Sequence, residues 1–388
     1  MTPATAAATS ATSHSSTVRP STSNQRPHNF SAGPAALPEE VLREAQEELW
    51  SLFGTGVGIL EHSHRGPAFD RLLLETQAEF RKAGSIPSSH EILFVPGGAT
   101  LQFAMVPMNL LPSGGVADYL DTGVWAHKAI HEAGIVAAGV GARVHVAFDG
   151  RPCVYDHVPS DAEIATSRGA AYLHYCSNNT VFGTQFAKPP RTDAPLVCDA
   201  SSDILSKPFD FGRHALVYAS GQKNLGPSGM CVVVADRALI AAGRTGLPSM
   251  LDYRVYEKGE SRPNTPNTWG IFLMGRVVRW ILRNGGVEGM ARRNAEKARV
   301  LYAAIDRSGG FYTGLAKVES RSTMNVSFRL PTPALDDRFA DEAARHGLDG
   351  LKGHRDAGGV RASIYNPMSL EGCTALAQFM DEFRRVNG

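Results

Sequence analysis

The chain has 388 residues, with 39 Lys and Arg against 38 Asp and Glu and a net charge of +1, a balance that argues against an electrostatic binder of nucleic acid or of a membrane surface. Hydrophobic residues make up 43% and charged residues 20%, the composition of a globular chain, and at roughly 150 residues per domain the length suggests two to three domains. Five cysteines (Cys153, Cys176, Cys198, Cys231 and Cys373) contain no C-x-x-C pair; their odd number fits no disulfide framework and points to a reducing, cytoplasmic setting without a bound metal. No uncharged apolar run approaches the roughly 18 residues of a membrane span.

Met1–His28 is rich in Ser, Thr and Ala, has no acidic residue and carries Arg19 and Arg26. It offers too little apolar surface to offset ordering entropy and is expected to be a disordered tail. An acidic-poor, hydroxyl-rich start is also the composition of an organelle or plastid transit peptide. From Asn29 onward helical and strand patterns alternate. Pro38 followed by acids predicts a helix over 39–50, with Val41, Leu42, Ala45 and Leu49 on one face. A second helix is predicted over 69–80. Residues 91–95 read as a short apolar strand ending at Pro96-Gly97-Gly98, followed by a helix over 99–111 that Pro107 would kink or end.

Further apolar strands are expected at 170–175, 196–198, 215–219 and 230–234. Continuous apolar runs separated by helices or loops indicate an α/β fold with a mostly parallel central sheet covered on both faces. After about Gly270 the pattern changes to helices over 271–284 and 287–306, a strand over 323–330, and helices over 336–346 and 370–386. The expected organisation is therefore a large domain over 29–270, whose first residues pack on the smaller one, and a smaller α+β domain over 271–388.

Polar residues at strand ends carry the chemistry, because open α/β sheets build ligand sites there. The run Leu196-Val197-Cys198 ends in Asp199, and the run 215–219 ends in Ser220-Gly221-Gln222-Lys223-Asn224. A lysine held between buried strands is open to desolvation, which lowers its pKa and makes the amine nucleophilic. Pyridoxal phosphate chemistry needs such a lysine together with an acid facing the ring nitrogen; the same two residues would also serve as a structural salt bridge. Gly97–Thr100 sits where a strand turns into a helix, a place suited to phosphate. Trp125 is placed either to stack on a ring or to fill the core.

Several segments, in order, resemble the phosphoserine aminotransferases, class V members of the pyridoxal-phosphate-dependent transferases of fold type I. They are Asn29–Pro34, Ser63–Gly66, Gly97–Phe103, Gly221–Gly229, Asn264-Thr265-Pro266, Lys352–Arg355 and Gly358–Asn366. The resemblance spans the chain apart from the tail. It implies pyridoxal 5′-phosphate on Lys223, Asp199 at the ring nitrogen, Trp125 stacked on the ring and Thr180 beside it. Ala99, Thr100 and Gln222 would hold the phosphate, with Asn264 and Thr265 reaching it from the other subunit of a homodimer with shared sites. Arg361 would clamp the α-carboxylate, and His64, Arg65, His354 and Arg355 would receive the distal phosphate or carboxylate.

The implied reaction joins L-glutamate and 3-phosphohydroxypyruvate with O-phospho-L-serine and 2-oxoglutarate in serine biosynthesis. A homologous step in pyridoxine biosynthesis, yielding 4-phosphohydroxy-L-threonine, is also implied for the family. Two departures stand out: Thr100 replaces an arginine of some relatives, and Ala32 a serine. The alternatives are another class V enzyme, of alanine–glyoxylate aminotransferase or cysteine desulfurase type, and a non-catalytic protein of the same fold.

Overall fold

The computed structural model describes residues 26–388. Most of the segment expected as a tail, residues 1–25, lies outside the described residues. Its last member does not behave as tail: His28 and Asn29 form β1 (His28–Asn29). The elements that follow are α1 (Glu39–Trp50), α2 (Pro67–Gly84), β2 (His90–Pro96), α3 (Ala99–Leu110), β3 (Val116–Asp121), α4 (Val124–Gly139) and β4 (Arg143–Asp149). Next come β5 (Leu173–Cys176), β6 (Asn178–Asn179), β7 (Thr184–Gln185), β8 (Leu196–Asp199), β9 (His214–Ser220), β10 (Met230–Asp236), α5 (Arg237–Ala242), α6 (Tyr253–Lys258), α7 (Thr268–Arg283) and α8 (Gly286–Asp306). The chain closes with β11 (Thr313–Gly314), β12 (Asn325–Arg329), α9 (Pro333–Arg345), β13 (Leu348–Asp349), β14 (Val360–Ser363) and α10 (Leu370–Asn387).

Seven strands form the central sheet in the order β2-β10-β9-β8-β5-β3-β4. Strand β10 runs antiparallel to both its neighbours and the remaining pairs are parallel. Alternate residues of each strand feed two different cores. Ile92, Phe94, Val217, Ala219, Val232 and Val234 pack on one face with α1, α2 and α7. Leu93, Val95, Leu216, Tyr218, Cys231 and Val233 pack on the other with α3, α4 and α6. Burial on both faces is why these strands read as continuous apolar runs rather than as alternation.

A smaller antiparallel sheet, β11-β12-β14, shares a third core with α8, α9 and α10. Phe30 packs there too, and β1 pairs with β13. The division between cores does not fall at residue 270. Ile271, Phe272, Met274, Val277, Val278 and Ile281 of α7, and Met290 of α8, belong to the first core, whereas Ala298, Leu301 and Ile305 belong to the third. Helix α8 thus bridges the two bodies, because one stripe can serve two cores in succession along a long helix. Lys297 is fully buried on it, its amine donating to the carbonyls of Ile364 (2.9 Å) and Tyr365 (2.7 Å).

Candidate active site

The carboxyl ends of β2, β3, β5, β8 and β9 meet at one edge of the central sheet, and the site is built there. A cavity of about 320 Å³ is lined by Gly97–Thr100, Trp125, Asp199, Ser201, Gln222 and Lys223, among others. Asp199 is the last residue of β8 and is buried. Its Oδ1 accepts the backbone N–H of Ser201 at 2.9 Å. Lys223 lies in the turn between β9 and β10, where the Gly221 N–H bonds to the Met230 carbonyl at 3.0 Å and the Ala35 N–H bonds to the Gln222 carbonyl at 2.9 Å.

The two groups share the cavity, yet no ion pair within 4 Å joins them among the described residues, so the salt-bridge alternative falls away. Burial pushes the Asp199 carboxyl above its ordinary range while the Lys223 charge works the other way. Burial likewise lowers the Lys223 amine, against the pull of Asp199. Each group has been desolvated and left without a close counter-ion, an arrangement typical of functional rather than structural charges.

Trp125 forms one wall. Its indole N–H donates to Thr180 Oγ1 at 3.0 Å, and the Lys223 Nζ stands 5.2 Å from the ring centre. Thr180 sits in the β6–β7 turn, which Asn179 shapes: its Oδ1 accepts from the N–H of Val181 and of Phe182, and its Nδ2 donates to the Thr122 carbonyl at 2.7 Å. The opposite end is the start of α3. Gly98, at φ 77, precedes it, and a Cβ there would lie 2.9 Å from Ser220 Oγ. The backbone can therefore pass close to β9 and leave the first N–H groups of α3, at Ala99 and Thr100, facing the cavity. A buried acid at one end, an anion-receiving helix start at the other, an aromatic wall and a depressed lysine between them fit a phosphorylated pyridine aldehyde.

The Arg361 guanidinium is carried on β14 and half-buried; it donates to the Thr180 carbonyl at 3.3 Å and has no acidic partner within 4 Å among the described residues. Burial lowers its pKa. Asn366, just beyond β14, ties this strand to the lysine turn: its N–H donates to Asn224 Oδ1 at 2.9 Å and its Nδ2 to the Leu205 carbonyl at 3.0 Å, while Asn294 of α8 donates to its Oδ1 at 2.8 Å. All three asparagines are buried.

His354 and Arg355 sit on a tight loop in which the N–H groups of Ala357 and Gly358 bond to the His354 carbonyl and Gly353 N–H to the Gly359 carbonyl. A Cβ at Gly353 would fall 2.1 Å from the Gly358 carbonyl oxygen, so only glycine closes this loop. Arg355 is 84% exposed, with Asp356 3.6 Å away.

Thr180, Arg361, His354 and Arg355 do not line the cavity, and neither do the remaining expected residues. His64 is half-buried and Arg65 exposed, in the turn before α2, and Asn264 and Thr265 are exposed between α6 and α7. None of the four lines the cavity. Conversely, Ser201, Ser220, Phe103 and the Gly33-Pro34 pair line it without having been assigned a role. For the first two, position alone was a signal, since each lies within two residues of Asp199 or Gln222.

Comparison with known proteins gives the family. The family described as aminotransferase class-V matches residues 28–376. Phosphoserine aminotransferases from Herpetosiphon aurantiacus and Geobacillus kaustophilus are each 47% identical over 93% of this chain and 99% of their own length. The solved structure of phosphoserine aminotransferase from Bacillus circulans subsp. alkalophilus superposes with a TM-score of 0.90 at 46% identity, covering 94% of this chain and 99% of that one. The pyridoxal-phosphate-bound enzyme from Trichomonas vaginalis gives 0.88 at 35% identity, over 92% of this chain and 100% of that one. The chain belongs to the class-V aminotransferases and, within them, to the phosphoserine aminotransferase family.

Proposed function

We propose that this enzyme moves an amino group from L-glutamate to 3-phosphohydroxypyruvate, forming O-phospho-L-serine and 2-oxoglutarate, with pyridoxal 5′-phosphate on Lys223. The observation that carries the reading is the unpaired Lys223–Asp199 couple in one cavity at the strand ends. When bound, the cofactor supplies an aldehyde that takes the amino group and a ring that accepts an electron pair.

The chain's residues do the rest. Lys223, its pKa lowered by burial, would move the proton from the substrate α-carbon to C4′ of the cofactor. Asp199, which burial makes reluctant to remain charged alone, holds a proton at the ring nitrogen and gains there the counter-charge it lacks. Trp125, fixed by Thr180, packs against the ring face and keeps water off it. Ala99, Thr100 and Gln222 receive the phosphate. Arg361, with its fork of donors and no competing acid, orients the α-carboxylate.

The distal anion is received by His354 and Arg355 together with His64 and Arg65 of a second copy, and Asn264 and Thr265 complete the neighbouring cofactor site. The exposure of Arg65, Asn264 and Thr265, and of Leu49, Trp50, Val57 and Leu60 in the segment before His64, supports a homodimer. No described helix is long and apolar enough to cross a membrane, and free, mostly buried cysteines suit the cytoplasm. A cysteine desulfurase is disfavoured, since burial pushes the thiols of Cys176, Cys198, Cys231 and Cys373 up, away from a reactive thiolate. The test is an absorbance titration of the purified protein with cofactor, then with phosphoserine or alanine. A visible band that shifts more readily with phosphoserine supports the reading; a protein that takes up no cofactor, or prefers alanine, overturns it.

A further inference from the structure

The residues assigned to the distal anion leave one nearby cation unexplained. Lys128 lies on α4 one helical turn beyond Trp125, so the two side chains share a face. Its ammonium stands 4.6 Å from the centre of the Trp125 ring, the same ring that Lys223 approaches from within the cavity. An acidic residue, Glu132, follows four positions later on the same helix, where an ordinary surface lysine finds its partner. Lys128 makes no such pair: no described carboxylate lies within 4 Å of it, whereas its neighbour His127 is paired with Asp121 at 2.9 Å. Long side chains on a helix lean toward its N-terminus, and here that direction leads to the indole wall of the site.

Trp125 is tied to the strand that follows this loop through Thr180, whose Oγ1 accepts the indole N–H and whose carbonyl accepts from Arg361; His354 and Arg355 lie on the loop leading into that strand. Burial first, and then the positive charges of Arg361, Arg355 and Lys128, hold the His354 imidazole below its ordinary pKa, against the opposing pull of Asp356. Lys128 of α4 and Arg361 of β14 thus flank the Trp125–Thr180 pair, His354 and Arg355 precede Arg361 on the adjoining loop, and Asp356 is the acid that contacts the cations of that loop.

We propose that Lys128 is a specificity-determining residue that receives the distal anion of the substrate together with His354 and Arg355. The inference rests on the proposed phosphoserine reading. It adds a cation from the chain that also supplies Trp125, so that ring wall and anion contact are set by a single helix turn. A phosphate dianion, carrying more charge than a γ-carboxylate, gains most from it.

The test compares the K128Q holoenzyme with wild type on phosphoserine, glutamate and alanine at low and moderate salt. Loss of one exposed charge contact should raise KM for phosphoserine about fivefold, raise it less for glutamate, and leave kcat and the alanine reaction unmoved. K128R, which keeps the charge, should stay close to wild type, and the phosphoserine kcat/KM of K128Q should depend less on ionic strength. Wild-type KM for phosphoserine in K128Q, or an equal loss on alanine, overturns the proposal for Lys128 alone. A wild-type enzyme that does not use phosphoserine would instead overturn the functional reading beneath it.

Discussion

The floor and the rim of this site are built on opposite principles. The floor, Asp199, Lys223, Trp125 and Thr180, comes from one chain, sits at the ends of buried strands or in turns pinned by asparagine, and carries charges whose pKa values burial has moved. The rim, half-buried His64 and exposed Arg65, Arg355, Asn264 and Thr265, stands on turns and loops and does not line the cavity. Chemistry that needs preorganised electrostatics is placed where the fold is rigid; on the proposed reading, recognition of a solvated anion is left to exposed loops.

The contrast can be broken most sharply at the floor. A positioned acid–base is worth about 10²–10⁴-fold, so Lys223→Ala should lose at least that much turnover with an unchanged far-ultraviolet spectrum. Asp199→Asn should bind cofactor and still lose about 10²-fold. Near-normal steady-state rates in either variant would make the floor merely structural.

Smaller and more selective effects belong to the rim. A charge-assisted hydrogen bond contributes about 1.5–3 kcal/mol, so Arg355→Ala should cost roughly ten- to a hundred-fold in kcat/KM for phosphoserine and glutamate and little for alanine. Arg361→Ala should damage all three, because every amino-acid substrate has an α-carboxylate. Equal losses across substrates in Arg355→Ala would erase the distinction between distal and α-carboxylate contacts.

Sharing between subunits can be probed by mixing. Lys223→Ala and Asn264→Ala chains, each impaired alone, should recover on random reassociation up to about a quarter of wild-type activity through hybrid dimers with one intact site. Sedimentation showing a fully active monomer would remove the shared rim.

How much of this was legible in the sequence follows the same division. Strands buried on both faces announced themselves as apolar runs, and Asp199 and Lys223 were conspicuous because polar residues end those runs. Strand β3 went unseen because it contains Asp118 and Asp121, both buried, whose partners His145, His127 and Arg151 come from elsewhere in the chain. Strand β4 is an edge with exposed positions, α4 has only a thin alanine seam buried, and β14 is short and broken up by Arg361; none gives a periodic signal long enough to read. The reversal of β10 follows from the short turn 221–229, which leaves no room for the crossover a parallel neighbour requires. The rim cations came only from resemblance, since an exposed His-Arg pair looks like any solvated loop. Lys128 was overlooked for the same reason, its meaning residing in what stands across the cavity.

Lys297, the buried lysine of α8 that holds the Ile364 and Tyr365 carbonyls, has its pKa brought down to about 7, chiefly by burial. An unfolded chain would keep that amine protonated to about 10.4. The native protein therefore carries the full penalty below pH 7 and sheds it as pH rises, gaining stability by at most about 1.4 kcal/mol per pH unit between those values; Lys297→Met should flatten that slope in chemical denaturation, and an unchanged slope would mean the amine stays charged. Seen calorimetrically, the Lys297 amine takes up one proton when the chain unfolds near pH 9, so the difference in unfolding heat between Tris and a buffer of small ionisation enthalpy should change, from Lys297→Met to wild type, by about one ionisation heat of Tris.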